Sequence, residues 1–183
     1  MNAIGQVITI LRFSNRIIAL LCGLVLLATV ALILTEIILR QTPFGALGGS
    51  DEISGYVMAG IAAWGLAYAL MERAHVRIDL LQRQLPAPGR VILDTLSLAV
   101  LSATTSVIAY YSWRVLATTL ARNSRANTPL ETPLWIPQTL WFAGWVWFAL
   151  TAFILLLCVL GLLLGRCWAE AEATAGNRSE LSQ

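Results

Sequence analysis

The chain has 183 residues, of which 58% are hydrophobic and only 12% are charged, with a formal net charge of +2. Soluble domains carry about 25% charged residues, so this deficit indicates a chain that lies in a lipid bilayer. The small net charge and the scattered arginines exclude a nucleic-acid-binding protein. Because the three cysteines lack metal-binding spacing, we predict neither a metal site nor a disulfide.

Four apolar segments are long enough to cross a bilayer, which takes about 20 helical residues. The first is longer than the apolar part of a signal peptide, so we interpret it as a retained helix. The last apolar run is too long for one upright span, and we expect residues 132–139 at the interface. We predict an all-α membrane protein, a single membrane domain over residues 1–183, with spans at about 17–39, 53–71, 95–113 and 140–164.

The arginine distribution predicts how the chain is oriented. Four spans place both termini on one side of the membrane. Eight of the twelve arginines fall at the termini and between spans two and three, and four fall in the other two loops. Because arginines are enriched on the cytoplasmic side, both termini are predicted to be cytoplasmic. The last residues, 169–183, are predicted to form a flexible tail.

A short amphipathic helix is predicted between spans two and three. Ile78, Leu81 and Leu85 fall on one helical stripe, which favours a helix over about residues 77–85 at the cytoplasmic interface. His75, the only histidine, precedes this segment without a nucleophile or metal ligand near it in sequence. We therefore interpret His75 as structural and not as catalytic.

The middles of the four spans contain no charged residue, although sites that couple ions or catalyse reactions at membrane depth are typically ionisable. Glu36 is the nearest, and Arg40 at i+4 favours an interfacial ion pair over an ion-coupling carboxylate. We predict no enzyme activity, no catalytic residue and no cofactor.

Two alternatives stay open. One is a small four-helix exporter that acts as a homodimer through Glu36. The other is a membrane anchor of a redox complex, which is disfavoured because one histidine cannot supply two axial haem ligands.

A stripe of small residues runs along the second span. Its members are spaced four apart: Gly55, Ala59, Ala63 and Ala67. Such a stripe lets another helix approach closely. From packing alone, a self-contained four-helix bundle and a subunit docked on a larger membrane protein are equally favoured.

Two sequence patterns carry a family resemblance. The first is the acidic pair Asp51 and Glu52, followed by a helix rich in small residues and by AHVRIDLL at 74–81. The second is TPLWIPQ at 132–138. Together they resemble the small membrane subunit, of the DctQ type, of tripartite ATP-independent periplasmic (TRAP) transporters.

The resemblance implies an accessory small permease subunit of an ion-gradient-driven uptake transporter for organic acids in the bacterial inner membrane. The resemblance implies that this subunit braces a large elevator-type membrane subunit (DctM type). It also implies that the subunit helps a periplasmic substrate-binding protein (DctP type) to dock. Membrane lipid is the third implied partner. His75, Arg77 and Asp79 would fix the cytoplasmic interfacial helix. The outer loop offers three candidate contacts for the binding protein: Arg122, Arg125 and Glu131.

Overall fold

A computed structural model describes residues 3–43, 45, 48–72 and 87–165 of the chain. This part is helical, with α1 (Ala3–Arg40), α2 (Ser50–Met71), α3 (Ala87–Arg122) and α4 (Trp135–Leu164). All four are long and apolar enough to cross a membrane. The predicted all-α membrane fold with four spans is therefore confirmed.

The helices are longer than the apolar segments that predict them. α1 has 38 residues and α3 has 36, or about 57 and 54 Å at 1.5 Å per residue. A bilayer core is about 30 Å thick, so these two helices either tilt strongly or extend beyond it. α4 begins at Trp135, and Pro137 is tolerated in its first turn because a missing N–H there leaves no hydrogen bond unmade; the crossing from about residue 140 stays a prediction.

The four helices pack as an open row in the order α1, α2, α4, α3. α4 contacts both α2 and α3, while α1 packs on α2 and touches α4 only lightly. Among the described residues, the backbone of α3 comes close to neither α1 nor α2, although side chains of these helices meet in the core clusters around α4. Within the described residues, the open row leaves both of its broad faces uncovered.

We name the two ends of the row by their connections. The loop end carries the α1–α2 and α3–α4 connections, and the termini end carries the start of α1 and the end of α4. Exposed aromatic side chains gather near the loop end, as is typical of a membrane–water boundary. They are Tyr110, Tyr111, Trp113 and Trp135.

The core of the row lies along α4, where side chains of α2 and α3 pack against it. Its buried members are Ala67, Leu70, Leu98, Phe148, Ala152, Leu155 and Val159. α2 and α4 approach closely at Gly144, where an added Cβ would lie 2.8 Å from the Cβ of Ala63. The Trp64 ring lies against this glycine, and its Nε1 donates to the Leu140 carbonyl oxygen at 3.0 Å.

One polar stripe on α1 marks the side that packs on its neighbours. Its four members follow one another at intervals of seven residues: Asn15, Cys22, Thr29 and Glu36. Cys22 is half-buried and the other three are buried. A seven-residue repeat keeps side chains on one seam of a helix that coils around another. Asn15 is fully buried and accepts a hydrogen bond from Trp147 Nε1 at 3.0 Å, which joins α1 to α4.

Candidate interaction surfaces

The connection between α3 and α4 is a compact hairpin, which we call the loop-end cap (residues 123–134). The Ala126 N–H donates to the Thr132 carbonyl at 3.0 Å, and the Leu134 N–H donates to the Ser124 carbonyl at 3.1 Å. Arg125 Nη1 donates to the Glu131 carbonyl at 3.3 Å and ties the two arms together. A loop with this many internal hydrogen bonds presents a defined surface.

Glu52 fastens the cap to the start of α2. Its buried carboxylate accepts a hydrogen bond from the Tyr56 hydroxyl at 2.8 Å and another from the Thr128 hydroxyl of the cap. Thr132 of the cap also interacts with the same carboxylate. A carboxylate in the first turn of a helix also interacts favourably with the helix dipole. We call Glu52, Tyr56, Thr128 and Thr132 the Glu52 latch.

An apolar contact lies beside the latch. The Leu130 side chain of the cap sits directly over Gly49, leaving no room for a Cβ at that position. Gly49 also has φ of +96°, a conformation that favours glycine. The first turn of α2 and the cap therefore hold each other in place through one polar and one apolar contact.

The structure separates the predicted acidic pair. Glu52 is buried in the latch, whereas Asp51 is exposed, with its backbone carbonyl accepting from Ser54 Oγ at 3.0 Å. Of the three predicted contact residues, Arg125 and Glu131 lie on the cap and Arg122 is the last residue of α3. All three are exposed. The structure thus brings them to one end of the row; their contact with a binding protein stays a prediction.

The chain matches the family model described as "Tripartite ATP-independent periplasmic transporters, DctQ component" over residues 29–165. It belongs to this family. The match covers well over half of the chain and includes α2, α3, α4 and the loop-end cap. Neither the curated proteins nor the solved structures give a match.

Family membership confirms the resemblance seen in the sequence. The chain is a DctQ-type small permease subunit of a TRAP transporter and a multi-pass membrane protein. The family is one of transporter components and not of enzymes. Within residues 3–43, 45, 48–72 and 87–165, no three metal-ligating side chains come together.

The small-residue stripe of this DctQ-type subunit is divided between two environments. Ala63 and Ala67 are buried against the chain's own helices, with Ala63 facing Gly144. Gly55 and Ala59, nearer the loop end, are exposed. The stripe thus packs within the subunit over one half, and close approach by a partner helix stays a prediction for the other half.

Glu36 lies in the ion pair that its spacing predicts. Its Oε1 is 3.0 Å from Arg40 Nε, and the Glu36 side chain is buried while that of Arg40 is half exposed. Packing against α2 therefore buries a carboxylate that the sequence places at an interface.

The predicted interfacial motif (His75, Arg77 and Asp79), the helix at 77–85 and the tail at 169–183 lie outside the described residues.

The sequence did not reveal which residues hold the loop-end cap and the α2–α4 contact in place. The Glu52 latch depends on Tyr56 and Thr128, and the second of these lies 76 positions from Glu52. Only the tertiary structure reveals such a pair. Gly144 had a visible signal, because it is the single glycine within the aromatic-rich run WFAGWVWF at 141–148. A glycine there indicates that a large neighbouring ring requires the space.

Proposed function

We propose that the chain braces the fixed scaffold of a large, elevator-type membrane subunit and helps a periplasmic substrate-binding protein to dock, in ion-gradient-driven uptake across the bacterial inner membrane. The observation that carries this proposal is the open row of helices. No part of the chain that the structure describes covers its two broad faces, and α4, one of its two inner helices, contains no charged residue. A row of this kind offers packing surface, and α4 contributes no charged group that could line a path for a substrate.

The organic-acid substrate and the coupling ion then belong to the partner subunit. Glu36 supports this division, since its carboxylate is paired with Arg40 at 3.0 Å. A neutralised carboxylate is poorly suited to carry an ion through repeated cycles. The homodimeric exporter therefore becomes an alternative outcome of the test below.

Purification of the tagged chain from its native membrane tests the proposed assembly. We expect a large multi-span membrane subunit in stoichiometric amount, identified by mass spectrometry of the mild-detergent eluate. Uptake should need both subunits and the binding protein when they are reconstituted in vesicles with an imposed sodium gradient. A chain that purifies alone and transports by itself, with loss of transport in Glu36→Gln, would establish the exporter instead.

The loop-end cap is the surface on which we propose that the binding protein docks. It is held against α2 by the Glu52 latch, so its exposed charges occupy fixed positions. Arg122, which directly precedes the cap, and Arg125 outnumber Glu131 among the exposed charges of residues 122–134. Charges at the edge of an interface mainly accelerate association with an oppositely charged partner, and we propose that the partner presents an acidic face.

Charge reversal at Arg122 tests this docking surface. We expect Arg122→Glu to slow association of the binding protein by about tenfold at low salt and by less at high salt. Arg122 is the cleaner choice because Arg125 also holds the cap together. Glu131→Gln should have the opposite effect, and stopped-flow association rates measure both. Equal rates for all variants would remove the cap from the docking surface.

A further inference from the structure

The first part of α1 lies beside the apolar half of α4. Ile4 packs with Val91 and Leu162 at the termini end, and a Cβ added at Gly161 would lie 3.5 Å from Ile4 Cδ1. Three helical turns further on, Asn15 accepts the hydrogen bond from Trp147. Residues 4–15 of α1 therefore run alongside residues 147–161 of α4, a stretch without a charged residue.

Two arginines fall in this part of α1. Arg12 lies between the two contacts with α4, and Arg16 directly follows the second. Both are exposed, whereas Leu11 and Asn15 beside them are buried. Residues four apart share a face of a helix, so the two guanidinium groups are neighbours. Among the described residues, neither forms an ion pair with a carboxylate.

The surroundings of these arginines are apolar. Phe13 is 66% exposed and Leu20 is 68% exposed, and Ile17 is exposed as well. An arginine at membrane depth is costly unless its guanidinium reaches a polar group. Side chains on a helix lean toward its N-terminus, which directs Arg12 and Arg16 toward the termini end and the nearest headgroup layer.

We propose that Arg12 and Arg16 form a binding site for the phosphate of an anionic phospholipid, whose acyl chains lie on Phe13, Ile17 and Leu20. Guanidinium groups bind phosphate oxygens in bidentate geometry. A lipid is favoured over a partner helix because α1 is the end member of the row and exposes large apolar residues on most of its circumference. The site would anchor this edge of the subunit in the bilayer.

The experiment measures lipid binding to the full-length chain purified in mild detergent. Phosphatidylglycerol is titrated in mixed micelles, with phosphatidylcholine and inorganic phosphate as separate arms. Lipid bound per chain is read by native mass spectrometry, and the unfolding midpoint by tryptophan fluorescence. The variants are Arg12→Gln, Arg16→Gln and the double variant. Arg114→Gln, which removes an exposed arginine of α3, is the matched control.

We expect phosphatidylglycerol to bind and to raise the unfolding midpoint, with no rise from phosphatidylcholine or inorganic phosphate. Each single variant should lower phosphatidylglycerol affinity about 5-fold, and the double variant about 25-fold. Arg114→Gln should bind like the natural chain. If the double variant does not fold, the single variants decide the question. Unchanged affinity in them would overturn the site. The variants are also purified from their native membrane. Normal lipid binding combined with loss of the co-purifying large membrane subunit would assign the arginines to a protein partner and would likewise overturn the site.

Discussion

Gly144→Ala should separate α2 from α4 and lower the free energy of unfolding by about 1–3 kcal/mol, the range for an overpacked core. The added methyl carbon would lie 2.8 Å from Ala63 Cβ and 2.8 Å from Trp64 Cδ1. Ala63 Cβ is fixed to the backbone of α2, so the helix itself has to move. The Trp64 hydrogen bond to the Leu140 carbonyl would weaken as a result.

Gly60→Ala is the matched control for this substitution. It adds the same methyl group at the same helix interface, where the nearest atom is Leu140 Cδ2 at 3.7 Å. That distance is an ordinary van der Waals contact, and alanine favours a helix over glycine by about 1 kcal/mol. We therefore expect Gly60→Ala to be neutral or slightly stabilising, with both variants measured by unfolding in mixed detergent micelles.

A second substitution separates the steric explanation from a change in helix propensity. Ala63→Gly removes one of the atoms that the new methyl group would strike, and should restore part of the stability lost in Gly144→Ala. Coupling of this kind is expected only between residues in contact. Equal losses in Gly144→Ala and Gly60→Ala, without recovery in the double variant, would show that no close approach exists at Gly144.

The number and type of helices follow from the sequence because the bilayer imposes a simple requirement. A span needs an uninterrupted apolar run, and this chain has four. The ends of the helices were less predictable, as α1 shows: Arg12 and Arg16 mark the edge of the apolar run, yet the helix continues back to Ala3. Charge ends an apolar segment without ending a helix, since arginine is a good helix former.

The arrangement of the helices was beyond prediction from the sequence. The small-residue stripe correctly indicates close packing at Ala63 and Ala67, but which helix packs there depends on Gly144, 81 positions away from Ala63 in the sequence. The exposed charges of the cap were recognisable from the polarity of their segment. The Glu52 latch was not, because a glutamate in the first turn of a helix already has a local explanation in the helix dipole.

Glu52→Ala should release the loop-end cap from α2. The substitution removes the acceptor of the Thr128 and Tyr56 hydroxyl groups, and with it the only carboxylate that joins the cap to α2 within the described residues. Trypsin cleaves after arginine, so Arg122 and Arg125 report directly on opening of the cap. We expect cleavage there to become about tenfold faster in the purified protein, as local opening becomes easier.

Asp51→Ala is the matched control, because it removes the neighbouring carboxylate that is exposed and outside the latch. Its cleavage rate should equal that of the natural chain. Glu52→Gln should fall between the two, since an amide keeps one acceptor oxygen and hydroxyl groups can reverse their direction to accept from its NH₂. Faster cleavage in both Asp51→Ala and Glu52→Ala would instead indicate that any lost charge destabilises the start of α2.

The latch also makes the docking proposal testable without touching a charged surface residue. Glu52→Ala leaves Arg122, Arg125 and Glu131 unchanged and alters how firmly the cap is held, while the charge that it removes is buried in the latch. If fixed positions matter for docking, the binding protein should bind Glu52→Ala more weakly, because ordering the cap then opposes association. Normal docking together with rapid tryptic cleavage would show that docking does not depend on a fixed cap.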